Sequence, residues 1–238
     1  MVWFLLACGS SPSQGPSVAD PHPVDHAHDQ HRHPNAEHVH HDFDDPERWS
    51  KVFDDPERDA WQKPDQVVSG LDLQPGMVVA DIGAGTGYFN RRLATAVGEA
   101  GRVIAIDVGA KLVEHMKERA VEEATPQVEA RLTPPDASGL RAGEADRVLM
   151  VDVYHHIENR PSYFNALLAG LKPGGVLTIV DLTKEAPFGP PVEARLTPAE
   201  VKAELSAAGW TFERAIDGLP HQYMLRFVPS AGDAGGGE

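Results

Sequence analysis

Val78-Val79-Ala80-Asp81-Ile82-Gly83-Ala84-Gly85-Thr86-Gly87-Tyr88-Phe89 decides how the chain is built. A run of β-type apolar residues closes on an acid. Three glycines follow at every second position, and a helix-like segment comes next. That order predicts a buried strand, a tight turn and a helix N-terminus. Lacking Cβ, glycine lets the backbone bend sharply and lets a ligand lie against it. The first N–H groups of the helix have no partner within it. Asp81, at the strand end facing the turn, suits a ligand with hydroxyl or ammonium groups better than a pyrophosphate.

The pattern repeats outward. A helix is expected over 88–97, then a strand Arg102-Val103-Ile104-Ala105-Ile106-Asp107 that again closes on an acid. Leu112, Val113, Met116 and Ala120 recur at helical spacing and read as core. Val128 to Leu132 is a third strand interrupted by Arg131, and Asp146 to Asp152 a fourth, running into Val153-Tyr154-His155-His156-Ile157. Val176 to Asp181 is a fifth. Thr197-Pro198-Ala199-Glu200 opens a helix by capping chemistry. Trp210 to Ile216 and Gln222 to Val228 read as a closing antiparallel hairpin. The alternation by itself predicts a doubly wound α/β sheet.

Composition narrows the function. The chain has 238 residues and a net charge of −15. Such an acidic surface repels phosphate backbones, which argues against a nucleic-acid partner. Cys8 is the single cysteine, so an internal disulfide and a cysteine-held metal in the folded part are excluded. No run of about 20 apolar residues is present to span a membrane as a helix.

The segment Asp81-Ile82-Gly83-Ala84-Gly85-Thr86-Gly87 resembles the first motif of the class I S-adenosylmethionine (SAM) dependent methyltransferases. The dinucleotide fingerprint G-x-G-x-x-G is the nearest competitor, but here the spacing is one residue shorter and the acid stands in front. Leu171-Lys172-Pro173-Gly174-Gly175 is a further mark of the family. The resemblance covers roughly residues 53–228. It implies a Rossmann-like fold: a mostly parallel seven-stranded sheet, helices on both faces, and a C-terminal antiparallel hairpin. SAM is the implied cofactor. Asp81, Gly83, Ala84, Gly85 and Gly87 would hold its methionine part. Asp107, 20 residues after Gly87, would take the ribose hydroxyls, an acid placement shared with dinucleotide proteins. Val108 would lie along the adenine. Asp136 and Ala137 would meet its amino group, although Pro135 stands where the family usually has glycine. Asp152, closing the fourth strand, joins the cofactor-binding set.

The fourth strand is expected beside the first, so its end faces the transferred methyl group in an open sheet. Tyr154, His155 and His156 are therefore the catalytic candidates, and of the two histidines His155 is nearer the strand end. Phe43-Asp44-Asp45-Pro46-Glu47-Arg48-Trp49 is echoed by Phe53-Asp54-Asp55-Pro56-Glu57-Arg58, which predicts two short capped helices. A third runs to Leu71. In the family, segments ahead of the first motif help to form the substrate pocket, and Arg58, Trp61 and Gln62 are the candidates there. Packing alone would also explain Trp61. Pro187 to Pro191 reads as a capping loop.

The N-terminus has its own character. Leu5-Leu6-Ala7-Cys8 resembles a bacterial lipoprotein signal, with Cys8 as lipid anchor and a cell-envelope location, although no Lys or Arg precedes the apolar run. A cytoplasmic chain is the alternative. Residues 9–42 read as a disordered linker holding His22, His26, His28, His31, His33, His38, His40 and His41, a density that binds divalent metal weakly or simply stays solvated. The expected organisation is a signal remnant over 1–8, the linker, a helical cap over 43–75, the SAM-binding domain over 76–228 and a flexible tail over 229–238. The expected partner is a small methyl acceptor. No Asn/Asp-Pro-Pro-Tyr/Phe tetrad points to DNA amino groups, and no cysteine is available as a pyrimidine nucleophile or arsenic ligand. An NAD(P)-dependent oxidoreductase and a non-catalytic SAM- or metal-binding envelope protein are the competing classes. Composition sets neither the acceptor nor the oligomeric state.

Overall fold

A computed structural model describes residues 45–231. The readings of Cys8, of the histidine-rich segment and of the last seven residues lie outside the described residues.

β1 (Val78–Ile82) is buried along all but its first residue. It lies between β2 (Arg102–Asp107) and β4 (Ala145–Val151), parallel to both. β3 (Val128–Leu132) pairs parallel outside β2, and β5 (Leu171–Leu182) outside β4. β7 (Gln222–Pro229) then runs antiparallel to β5, with β6 (Trp210–Ile216) at the edge. The order is β3-β2-β1-β4-β5-β7-β6. The chain reverses direction across the sheet between β1 and β4, which opens a crevice at the carboxyl ends of these strands.

Both faces of the sheet are covered, so the central strands are apolar throughout rather than alternating. Neighbouring residues enter opposite layers. Ala80, Ile104 and Met150 pack with Phe164 and Leu167 of α6 (Arg160–Leu167) and with Val201 and Leu205 of α7 (Pro198–Ala207). Val79, Val103 and Leu149 pack with Val67 and with Leu93 and Val97. Those residues belong to α3 (Pro64–Gly70) and α4 (Asn90–Val97). α5 (Ala110–Glu122) adds Val113 and Met116 against Ala84 and Ala105. Ahead of α3 come α1 (Pro46–Phe53) and α2 (Arg58–Gln62).

The local chemistry behaves largely as the residues dictate. Asp45 caps α1 by accepting from Arg48 N at 3.0 Å. Thr197 and Glu200 complete a capping box at α7. Three boundaries differ from expectation. α4 starts at Asn90 rather than Tyr88, because the turns Gly87 N→Ala84 O and Asn90 N→Gly87 O use up the intervening residues. α2 starts at Arg58, since Asp55 accepts from Glu57 N and closes a turn before the helix begins. Lys172-Pro173-Gly174-Gly175 lies within β5 as a register shift between the pairs Ala145–Leu171 and Arg147–Val176. Arg131, the charge in β3, is accounted for by Glu144 at 2.8 Å and by Glu129.

Candidate functional site at the carboxyl edge of the sheet

The end of β1 delivers Asp81, 2% exposed, into the crevice. Among the described residues its Oδ2 has no hydrogen-bond partner. Burial pushes its pKa up to about 7, against the pull of Arg58 and with the help of Asp107. A buried acceptor left unpaired is costly, and a ligand N–H or O–H would satisfy it. Gly83, Gly85 and Gly87 all have positive φ, at +75°, +59° and +84°. The alternation of glycines is therefore a backbone requirement of the turn, which non-glycine residues meet only under strain.

Asp107 fixes that turn. Its Oδ2 accepts from Gly85 N at 2.8 Å and its Oδ1 from Gly109 N at 2.9 Å. Burial raises its pKa although these N–H groups oppose the shift. Asp107 thus holds the glycine turn, a role that motif spacing does not convey. Val108 and Leu132, the residues just after β2 and at the end of β3, are 48% and 54% exposed. Val108 was expected along the adenine; Leu132 is the second apolar residue at this edge and was missed. Asp136 and Ala137 are exposed in the turn after β3, with Thr133 Oγ1 donating to Ala137 O at 3.1 Å.

The helical cap closes over the turn. The Phe53 ring lies 3.4 Å from where a Cβ on Gly85 would stand. Arg119 of α5 donates to Asp54 at 2.9 Å and to Thr86 O at 3.2 Å. Tyr88 hydrogen-bonds Asp59 through its hydroxyl, and Arg92 bridges to the same carboxylate at 2.7 Å. Arg58 Nη1 donates to Phe53 O at 2.8 Å, and its guanidinium carbon sits 4.1 Å from the centre of the Tyr88 ring. Burial lowers the pKa of Arg58, with Asp152 foremost among the acids that oppose the shift.

From Arg58 a polar chain crosses the site. Arg58 Nη2 donates to Gln62 Oε1 at 3.0 Å, and Gln62 Nε2 to Gln222 Oε1 at 2.6 Å. Gln222 Nε2 reaches both oxygens of Asp152, at 2.8 and 2.9 Å. Gln62 is fully buried. Sequence reading placed Arg58 and Gln62 here but missed Gln222, which has no local motif. Asp152 sits at φ +55°, in a left-handed region that Asp tolerates better than most residues. Burial and the nearby Asp181 raise its pKa. Trp61 takes no part in this polar chain and packs on Phe188 at 4.6 Å between centroids.

The catalytic candidates separate. Tyr154 was expected to reach the acceptor, and the structure corrects this. Tyr154 is fully buried, stacked on Phe164, and its hydroxyl donates to Glu204 of α7 at 2.8 Å. It is a packing residue, and burial drives its pKa up. His155 instead pairs with the end of β5: its Nδ1 lies 3.0 Å from both Asp181 oxygens. Burial disfavours its charge, but the bond to Asp181 prevails and its pKa is raised. His156 is exposed, with its ring 4.1 Å from that of His155. Asp181 was read only as a strand end. Like Asp81 and Asp107 it is an acid closing a buried strand, and that shared signal could have identified it.

Residues 79–175 match the family model described as a methyltransferase domain. The chain is 27% identical over 125 residues to a ubiquinone/menaquinone biosynthesis C-methyltransferase of Hydrogenovibrio crunogenus, covering 52% of this chain and 48% of that protein. It is 35% identical over 115 residues to a 2-methyl-6-phytyl-1,4-hydroquinone methyltransferase of Synechocystis, covering 47% and 34%. The chain thus spans about half or less of the length of these curated relatives. A solved SAM-dependent methyltransferase from Aquifex aeolicus superposes with a TM-score of 0.72 at 29% identity, covering 77% of this chain and 97% of that one. A putative type 11 methyltransferase from Sulfolobus solfataricus, at 17% identity and a TM-score of 0.57, shares the fold. These matches favour the methyltransferase reading of the glycine turn over the dinucleotide one: residues 79–175 match a methyltransferase domain, and the fold is shared with solved SAM-dependent methyltransferases.

Proposed function

We propose that the protein transfers the methyl group of SAM to a small-molecule acceptor held at the carboxyl edge of β4 and β5. The observation that carries this reading is Asp81: a buried carboxylate oxygen without a partner, beside a glycine turn, fits the ammonium or hydroxyl donors of SAM. In this reading Asp107 takes the ribose, and Val108 with Leu132 lies along the adenine. Bound SAM supplies an electrophilic methyl on a sulfonium centre. The protein's part is alignment, water exclusion by the cap, and a base for an acceptor that arrives protonated. His155 is that base. The direct test is calorimetric titration with SAM, followed by mass detection of methyl transfer from labelled SAM across a metabolite panel. A chain that binds no SAM would overturn the reading.

Asp81 gives a pH dependence with a definite sign. Its folded pKa, about 7, lies above the ordinary carboxyl value. The folded protein therefore holds more protons than the unfolded chain between these values, and this group's contribution to stability falls as pH rises through that window. Cationic SAM favours the ionised form. SAM affinity is expected to rise with pH up to about 7 and then level, with proton release on binding. Calorimetry in buffers of different ionisation enthalpy measures the released proton directly.

The apolar run ending at Cys8 supports a lipid anchor and an envelope location as part of this proposal, and the histidine-rich segment supports weak divalent-metal binding. Deleting residues 1–42 preserves Asp45, the cap of α1. The truncated protein is expected to keep its SAM affinity and methyl transfer while losing membrane association. Fractionation with mass spectrometry of the native N-terminus checks the second half, and titration with Zn²⁺ checks the metal.

A further inference from the structure

Trp61, Phe188 and His221 come from three separate elements: α2, the loop after β5, and the turn before β7. They meet ring to ring, at 4.6 Å between Trp61 and Phe188 and 5.4 Å between Phe188 and His221. All three remain partly exposed, unlike the core aromatics Tyr154 and Phe164. The group is tied to the His155 end of the sheet. Thr183 N donates to His221 O at 2.9 Å, and His221 precedes Gln222, the donor to Asp152. Arg195 fixes the loop by donating to the carbonyls of Ala186 at 2.7 Å, Phe188 at 2.9 Å and Pro190 at 2.8 Å. A loop held at three carbonyls by one buried guanidinium presents Phe188 in a defined place, which lowers the ordering cost of a ligand that stacks on it.

The second element is the His155–Asp181 pair, whose acid lies on the same β5 that leads into the Phe188 loop. A carboxylate oxygen accepts, so Nδ1 carries the proton toward Asp181, and Nε2 keeps its lone pair for an incoming proton. An aliphatic or aromatic carboxylate would arrive ionised and need no base, whereas a phenol-type hydroxyl, with a pKa near 10, arrives protonated and does. Resting on the methyl-transfer reading above, we propose that the acceptor is a planar ring bearing an ionisable hydroxyl, stacked on Trp61 and Phe188, and that Asp181 positions His155 to take the hydroxyl proton during O-methylation. The acceptor oxygen forms the new O–CH₃ bond with its electron pair as the sulfonium C–S bond breaks. The sulfur keeps that bond's pair and becomes a neutral thioether. The hydroxyl proton leaves on His155 Nε2, and the resulting imidazolium faces Asp181. The positive charge of the donor thus ends on His155.

The groups around this imidazole are Asp181 on β5, Asp152 after β4, Arg160 on α6 and the His156 ring, with the Tyr223 hydroxyl facing Asp181 from β7. The two acids favour the charged ring and Arg160 opposes it.

The test uses the full chain with labelled SAM and three ring probes: 1-naphthol, benzylamine and benzoate. Label is expected on naphthol alone. Label on benzylamine or benzoate without naphthol, or on none of the three while SAM binds, overturns the acceptor class and leaves the methyl-donor reading intact. Failure to bind SAM would instead remove that reading. His155→Gln is expected to lower kcat on naphthol by roughly 10²–10⁴-fold with SAM affinity kept. Asp181→Asn is expected to shift the His155 step of the pH–rate profile to lower pH while leaving the naphthol KM nearly unchanged. A purely structural Asp181 would lower stability without moving that step, and a wild-type profile in this variant overturns the positioning role. Trp61→Leu is expected to weaken naphthol binding measured by calorimetry without SAM, and to raise KM with kcat retained. Unchanged naphthol binding in that variant overturns the stacking surface.

Discussion

Gly85→Val is expected to abolish SAM binding while the sheet stays folded. Gly85 sits at φ +59°, where a β-branched residue is strained, and the Phe53 ring already lies 3.4 Å from the position of its Cβ. The valine methyl groups extend beyond that Cβ, into the ring on one side or the ligand side of the turn on the other. Neither outcome leaves the turn able to take a ligand against its backbone. A fall in affinity of at least about a hundredfold corresponds to roughly 2.7 kcal/mol, within reach of one lost approach surface. Gly83 makes a useful contrast: a Cβ there would meet Val153 Cγ2 at 2.3 Å, so its substitution should disturb the β4 edge and lower thermal stability as well. Calorimetry with a parallel melting curve separates the two cases. Retained SAM affinity in folded Gly85→Val would mean that the turn is purely structural.

Asp107→Ala is expected to cost both affinity and stability, because the carboxylate serves two masters. It accepts from Gly85 N and Gly109 N, and the substitution leaves both groups without an acceptor. A fully buried donor left unsatisfied costs about 1–3 kcal/mol, and these two, half-buried, cost less. Loss of the proposed ribose acceptor adds to the loosened turn, so affinity should fall by more than about tenfold. Asp107→Asn keeps one acceptor and is expected to recover part of the stability. A variant that melts at the wild-type temperature would show that the turn does not depend on this side chain.

The fold was legible because its evidence is local. The apolar runs of β1, β2 and β4, the glycine turn and the capping residues of α1 and α7 each act within a few positions. The proposed ligand half of the site shares that property: Asp81 and Asp107 stand at or next to the ends of their own strands. The acceptor half does not. Gln222 matters only because Gln62 and Asp152 come to it from distant parts of the chain, and no periodicity reports such a meeting. Tyr154 misled for a related reason. It follows β4 as closely as His155 does, but the short turn at 154–156 rotates successive side chains apart, and Glu204 from α7 claims its hydroxyl. Which ring is drawn into the core depends on a residue 50 positions further along the chain.

The Gln62–Gln222 contact also orders events during synthesis. Its partners are 160 residues apart, and the second belongs to β7, the last strand among the described residues. Closing so long a loop is entropically unfavourable until the intervening sheet has formed. The α2 segment therefore leaves the ribosome early but finds its buried amide partner only when the last strand docks. A nascent or C-terminally clipped chain can build the central strands and the glycine turn, yet its Asp152 would lack the amide that holds it. Catalytic competence would then appear as a late, all-or-none event in biogenesis, and a chain released before β7 would carry most of the fold without a finished acceptor site.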